Sequence, residues 1–223
     1  MDMLTPAINV VDMQAKVRIS GKVIARYMSY DTFMDTDFGD KHVEWVNGVV
    51  IEMAGIDERH DALVGFLRVF FAAFVEATGG GRCLGDPMLM RLIDVPSSRA
   101  PDVQVLLPDR LGQIAKNQVI GPANLVVEII SPGNQRTDIV DKRREYELGG
   151  VPEYWIIDHE HQKTLFLQLN ADGLYDEVLP DTKGVYCSRS LNRLCFPVDI
   201  LWRENLPGIA ETMQMVTDML KGK

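Results

Sequence analysis

The chain has few cysteines, no excess of basic charge and no long apolar run, and each shortage closes off a class of protein. Its 223 residues include three cysteines, Cys83, Cys187 and Cys195, an odd count with no Cys-x-x-Cys pair. That usage points to a reducing compartment and argues against a disulfide framework or a structural zinc site. Lys and Arg total 23 against 32 Asp and Glu, a net charge of −9. A protein that holds nucleic acid through its global charge should be basic, so any such contact here must use a local patch. The longest apolar run, around Phe66 to Val75, is broken by Arg68 and is too short to span a bilayer. The opening MDMLTPAINVVDMQ has no basic stretch ahead of an apolar core, so it does not read as a signal peptide. The expected compartment is the cytoplasm. Internal repeats, a glycine-rich phosphate loop, a Gly-x-Ser-x-Gly elbow and a His-Glu-x-x-His pair are also missing.

What is present makes an ordinary globular chain. Apolar residues are 46% and charged residues 25%, which excludes disorder over the whole length, and the length allows a full core. Residues 1–26 show no clear period and are expected to form an arm or a stray strand ahead of a single domain over 27–223. Tyr30 to Met34 reads as a short helix with Asp31 and Thr32 as cap candidates. Two apolar runs, His42 to Trp45 and Val49 to Met53, flank Asn47-Gly48, the strongest short hairpin signal. In the span from Asp57 to Ala77, Leu63, Phe66, Leu67, Phe70, Phe71 and Phe74 recur at helical spacing, with Asp57 or Asp61 to cap the start. That stripe reads as core-facing rather than as a cofactor wall.

Strands are expected at Met88 to Ile93, Val103 to Leu107 and Leu125 to Ile130, the last a near-continuous apolar run of the kind buried on both faces. A helix over Thr137 to Leu148 is closed by Gly149-Gly150, and Tyr154 to Ile157 is another buried strand. Thr164 to Leu169 should pair with Tyr175 to Leu179, and a terminal helix should lie beyond residue 205. The order predicts one α/β domain, a mixed sheet flanked by helices, with a hairpin before it and a β-meander after it.

Glu128 is the most unusual residue, a carboxylate inside LVVEII. Burying it is costly unless it is hydrogen-bonded, paired or bound to a metal. The blander alternatives are an outward-facing strand end or an arginine pair. Asp102 follows Pro101 at the mouth of the VQVLL strand, where a plain turn aspartate is the alternative. Together the two acids could meet at one edge of the sheet, and such carboxylates suit Mg²⁺ or Mn²⁺. Asp138, Lys142 and Tyr146 are spaced by four and should share one helix face. Lys142 could then reach over the strand ends toward the acids, whereas Arg143 and Arg144 should sit on a solvated face. Glu44, between apolar neighbours in HVEWVNG, is a further acid or an ordinary hairpin residue. His60 opens the long helix and is a proton carrier, a phosphate contact or a plain first-turn residue.

At these residues the sequence resembles the Uma2 family, also called DUF820, of the PD-(D/E)XK restriction-endonuclease-like nucleases. The resemblance runs from about Tyr30 to Pro197. It is carried by VEWVNGVVIEM, by His60, by APDVQVL and above all by LVVEIISPGNQRTDIVDKRREYELGGVPEYWIID. It implies a restriction-endonuclease-like fold, with Asp102 and Glu128 as metal ligands and Glu44 as a further catalytic acid. His60, Asp138 and Tyr146 are auxiliary candidates. The superfamily signature places a lysine two residues after the Glu, but that position is Ile130 here, so the resemblance implies that Lys142 supplies the lysine from the next helix. Two departures from the family pattern are Asp158-His159 for Asp-Pro and Gly133 for a serine.

The implied activity is Mg²⁺- or Mn²⁺-dependent endonuclease cleavage of DNA, bound through a local patch by a homodimer, with no membrane partner. Intact acids and lysine favour it. The acidic net charge favours the alternative, a catalytically weak nucleic-acid- or protein-binding module that keeps the nuclease fold. A small-molecule enzyme on the same fold is a third class that no residue supports.

Overall fold

The computed structural model describes residues 21–53, 55–130 and 138–222. Most of the expected N-terminal arm therefore lies outside the described residues, but its end is β1 (Lys22–Ala25). The short helix α1 (Tyr30–Asp35) is capped by Ser29, whose Oγ accepts from Thr32 N at 3.1 Å, and not by Asp31 or Thr32. The hairpin forms as expected from β2 (Val43–Val46) and β3 (Val49–Glu52), with φ of 46° at Asn47 and 82° at Gly48. Two successive positive φ values are what a type I′ turn requires. The long helix α2 (Glu58–Ala77) starts at Asp57, whose Oδ1 accepts from His60 N at 2.7 Å.

Short strands follow: β4 (Arg82–Leu84), β5 (Leu89–Leu92), β6 (Ser97–Arg99), β7 (Val103–Leu106), β8 (Gln118–Ile120) and β9 (Leu125–Ile129). The expected helix over 137–148 is α-helical only as α3 (Arg143–Leu148), because Asp138–Lys142 winds as a wider π turn. The C-terminal part contributes β10 (Glu153–Asp158), β11 (Lys163–Leu169), β12 (Tyr175–Glu177), β13 (Val185–Cys187), β14 (Cys195–Pro197) and α4 (Ile209–Lys221). No helix among the described residues is long and apolar enough to cross a membrane.

The strands form two six-stranded mixed sheets, β1-β3-β2-β6-β5-β8 and β12-β11-β10-β9-β7-β4, plus the β13–β14 ribbon. Period-2 alternation divides the second sheet between two cores. Val103, Val105, Leu125, Val127 and Ile129 face α2, α4 and the ribbon, where Phe70, Phe71, Trp155 and Phe196 pack. Leu106, Val126 and Ile130 face the other way, onto Met90 and Leu92 of the first sheet and Tyr146 of α3. The apolar run around Glu128 is thus explained: both faces are covered, by different layers.

Two expectations need correction. β4, β6 and β8 were not visible in the sequence, since each is three residues long and β6 is polar, yet Ser97, Ser98 and Arg99 are buried because β2 and β5 pair on either side. Cys187 and Cys195 face each other across the ribbon and are disulfide-bonded, leaving Cys83 free. A spacing of eight gave no sign of this, because the ribbon was not expected.

Candidate active site

β7 and β9 are antiparallel neighbours with Val103 opposite Val127. One residue further, the same register sets Asp102 opposite Glu128, both on the sheet face that looks toward α3 and the first sheet. Asp102 Oδ2 accepts from Ile129 N at 2.6 Å, and Oδ1 lies 3.2 Å from His60 Nε2 in the capped first turn of α2. The chain leaving β4 runs so close to Asp102 that a Cβ on Gly85 would stand 2.3 Å from the Asp102 carbonyl oxygen. Only glycine fits there.

Glu128 receives a donor on each oxygen. Lys142 Nζ donates to Oε2 at 2.9 Å and the Tyr146 hydroxyl donates to Oε1 at 2.7 Å. The four-residue spacing of Lys142 and Tyr146 therefore works as expected. The side chain of Asp138, the third residue expected on that face, lies outside the described residues. Lys142 Nζ is also 3.8 Å from Glu44 Oε1. Glu44 is fully buried on β2, where Arg99 Nη1 donates to Oε2 at 2.7 Å and Ala100 N to Oε1 at 3.1 Å. Arg99 turns its Nε and Nη2 to Glu145 of α3 at 2.8 and 2.6 Å, and Ser97 Oγ donates to Glu145 at 2.6 Å. One polar network thus ties β2 and β6 of the first sheet to α3 and to β9 of the second.

The two acids beside Lys142 titrate in opposite directions. Burial pushes against ionisation of Glu44, but Lys142 and Arg99 outweigh it and hold its carboxyl below the usual value. Burial also dominates at Glu128, where the Asp102 and Glu44 charges add to it and Lys142 offsets only part, so its pKa is pushed up to about 8. Burial, then the Glu128 charge, keeps the Tyr146 hydroxyl protonated well above its ordinary value. The metal-free folded protein therefore holds a proton on Glu128 over the range between the ordinary value of 4.5 in the unfolded chain and the raised value in the fold. Between those values the folded state binds more protons, so stability falls as pH rises. Melting temperatures of metal-free protein should decline across this window, and Glu128→Gln should flatten the decline. An unchanged slope in the variant would place the titration elsewhere.

Asp102, Glu128, Ile129 and Lys142 line a cleft of about 570 Å³, with His42 and Asp86 at its rim. The family model of Uma2, described as "Putative restriction endonuclease", matches residues 29–198. The chain belongs to the Uma2 family. It is also similar to a crystal structure described as "a putative nuclease belonging to DUF820" from Anabaena variabilis ATCC 29413, at 16% identity and a TM-score of 0.65. That match covers 77% of this chain and 96% of the other, and it establishes the nuclease-like fold. No curated protein matches the chain.

In this Uma2 chain the structure brings Glu44, His60, Asp102, Glu128, Lys142 and Tyr146 to one place. Arg144 is exposed and Arg143 half-buried beside them. Sequence reasoning missed Arg99 and Glu145, the buried pair that fixes Glu44 and α3. Glu145 sits in the charged run DKRREYE, which reads as a solvated face. Glu153, a further buried acid, lies apart from the cleft. It accepts from Trp155 Nε1, Tyr186 OH, Ser188 Oγ, Arg189 N and Ser190 N, and so fastens the ribbon to β10.

Proposed function

We propose that the cleft hydrolyses phosphodiester bonds in DNA with Mg²⁺ or Mn²⁺, as an endonuclease. The observation that carries this reading is the pairing of Asp102 and Glu128 on adjacent strands, open to the cleft, with the Lys142 ammonium on Glu128. Asp102 and Glu128 would hold the ion. Their oxygens are the hard donors such ions take. In the described network, the carboxylates of Glu44, Asp102, Glu128 and Glu145 outnumber the cations Arg99 and Lys142 by two. Burial is the main reason that the Glu128 pKa is raised, and the neighbouring Asp102 and Glu44 charges add to it. No group of three His, Cys, Asp or Glu among the described residues could hold a metal by itself, so solvent and substrate would complete the shell.

When bound, the ion supplies Lewis acidity and an activated water. The chain's own residues do the rest. Lys142 stabilises negative charge as it grows on the phosphoryl oxygens. Glu44, itself gripped by Arg99, keeps that ammonium from swinging away. Ile130 cannot act in its place, because it has no charge. His60 and the Ile129 amide hold Asp102 in one orientation. Cutting both strands would call for two such clefts, so the expected working form is a homodimer.

Calorimetry with Mn²⁺ tests the ion site. Binding should be accompanied by proton release that Glu128→Gln reduces, because the ion competes with the proton on the raised Glu128 carboxyl. Glu128→Gln should weaken affinity by at least about tenfold. Equal affinity in wild type and variant would remove Glu128 from the site. Plasmid nicking with Mg²⁺ tests the chemistry, and DNA binding with no cleavage would favour the binding-module reading.

A further inference from the structure

The rim of the cleft carries a paired imidazole and carboxylate outside the network described above. His42 Nδ1 lies 2.6 Å from Asp86 Oδ2, and both residues line the cleft. The pair is fixed from both walls. On one side, Met53 N donates to the His42 carbonyl at 2.9 Å, which continues the β2–β3 ladder by one step. His42 is therefore extended, and its side chain falls on the same face of the strand as Glu44, two residues on. On the other side, Asp86 N donates to the Pro101 carbonyl at 2.9 Å, so Asp86 is anchored directly beside Asp102. The imidazole bridges the two sheets at the mouth of the cleft. Its Nδ1 is committed to the carboxylate, and Nε2 is the nitrogen a substrate would meet.

We propose that His42 is the general acid of the hydrolysis, with Asp86 as its positioning residue; this rests on the nuclease reading above. The water oxygen forms the new bond to phosphorus. The bond from phosphorus to the leaving nucleoside oxygen breaks, and its electron pair stays on that oxygen. His42 Nε2–H gives that oxygen its proton. The proton lost by the attacking water passes to solvent, from which the imidazole is protonated again. Asp86 orients the ring and supports the imidazolium before transfer. An ammonium such as Lys142 is already committed to Glu128 on the cleft floor, whereas the His42 ring is more than half exposed and can follow a substrate.

The test compares two oligonucleotides. Product ends first identify the bridging oxygen that leaves, and the second substrate carries sulfur there, since a thiolate departs without a proton. His42→Gln should slow cleavage of the all-oxygen substrate by about 100-fold or more, with near wild-type rates on the sulfur substrate. Asp86→Asn should show the same contrast at smaller size. In metal-free protein, nitrogen NMR should find the His42 ring protonated at Nδ1, and Asp86→Asn should abolish that preference. Equal losses on both substrates would reduce His42 to a phosphate contact and overturn the proposal, as would wild-type rates on both. Wild-type protein that cleaves neither substrate with Mg²⁺ or Mn²⁺ overturns the nuclease reading itself. His42 is exposed, so melting curves of its variants should match wild type, and a matched curve separates lost chemistry from lost fold.

Discussion

Lys142→Ala should lower kcat for Mg²⁺-dependent DNA cleavage by about 1,000-fold while leaving Mn²⁺ affinity unchanged or slightly tighter. The turnover loss follows from the removal of the buried cation nearest the two cleft acids. The retained affinity follows from the charge balance, because Glu44 and Glu128 then have less positive charge beside them and attract an ion more strongly. Lys142→Met, which keeps most of the stem, should behave alike, since the stem without its charge cannot act on phosphate. Arg144→Ala, at an exposed position, should change only the salt dependence of DNA binding. Wild-type turnover in Lys142→Ala would end the claim that the lysine has moved from strand to helix. Arg136, a basic residue of the SPGNQRTD stretch that lies outside the described residues, would then be the first cation to examine.

The second large effect is on stability. Arg99→Ala should destabilise the protein by roughly 3–5 kcal/mol, because it leaves Glu44 and Glu145 buried without their shared partner. Denaturant unfolding would measure it. Arg99→Lys should recover little, since three donors of one planar guanidinium are in use and an ammonium cannot reproduce that fork. Adding Glu44→Gln and Glu145→Gln to Arg99→Met should restore most of the stability, as the buried charges are then gone together. That triple variant should still be slow in cleavage, because Lys142 has lost the acid that holds it from the first sheet. A cost below about 1 kcal/mol for Arg99→Ala would mean that water reaches these carboxylates.

Much of this was legible in the residues, for reasons that can be named. Asn47-Gly48 tolerates the two positive φ values of a type I′ turn, so the hairpin followed, while Glu44 read either as a further acid or as an ordinary hairpin residue. Glu128 stood out because a carboxylate among buried valines and isoleucines is costly unless paired or bound, and Asp102 gained weight only beside it, as an acid at the mouth of the neighbouring strand. Lys142 and Tyr146 could be placed together because four residues are close to one helical turn, although nothing in the sequence signals the π turn that ends at Lys142. Arg99 was hidden because β6 reads as a polar loop and becomes a strand only through its two neighbours. Glu145 was hidden because its burial depends on a residue 46 positions earlier in the chain. The ribbon disulfide was hidden for a related reason, since its two halves have no apolar pattern of their own. Local chemistry identified the groups that cost most to bury, while the partners that make burial tolerable came from elsewhere in the sequence.

The order in which the chain is made gives the two-sheet network a further meaning. Glu44, Asp102, Glu128 and Lys142 have all been synthesised by residue 142, yet β9 still lacks its parallel neighbour β10, which spans Glu153–Asp158. Until residues 143–158 have been made, β9 is an open sheet edge, Tyr146 is not there to donate to Glu128, and Glu145 is not there to pair with Arg99. The cleft therefore assembles late, after most of the polypeptide exists. A nascent or prematurely terminated chain would carry all of these acids and still present no organised cleft to the nucleic acids that surround it during translation.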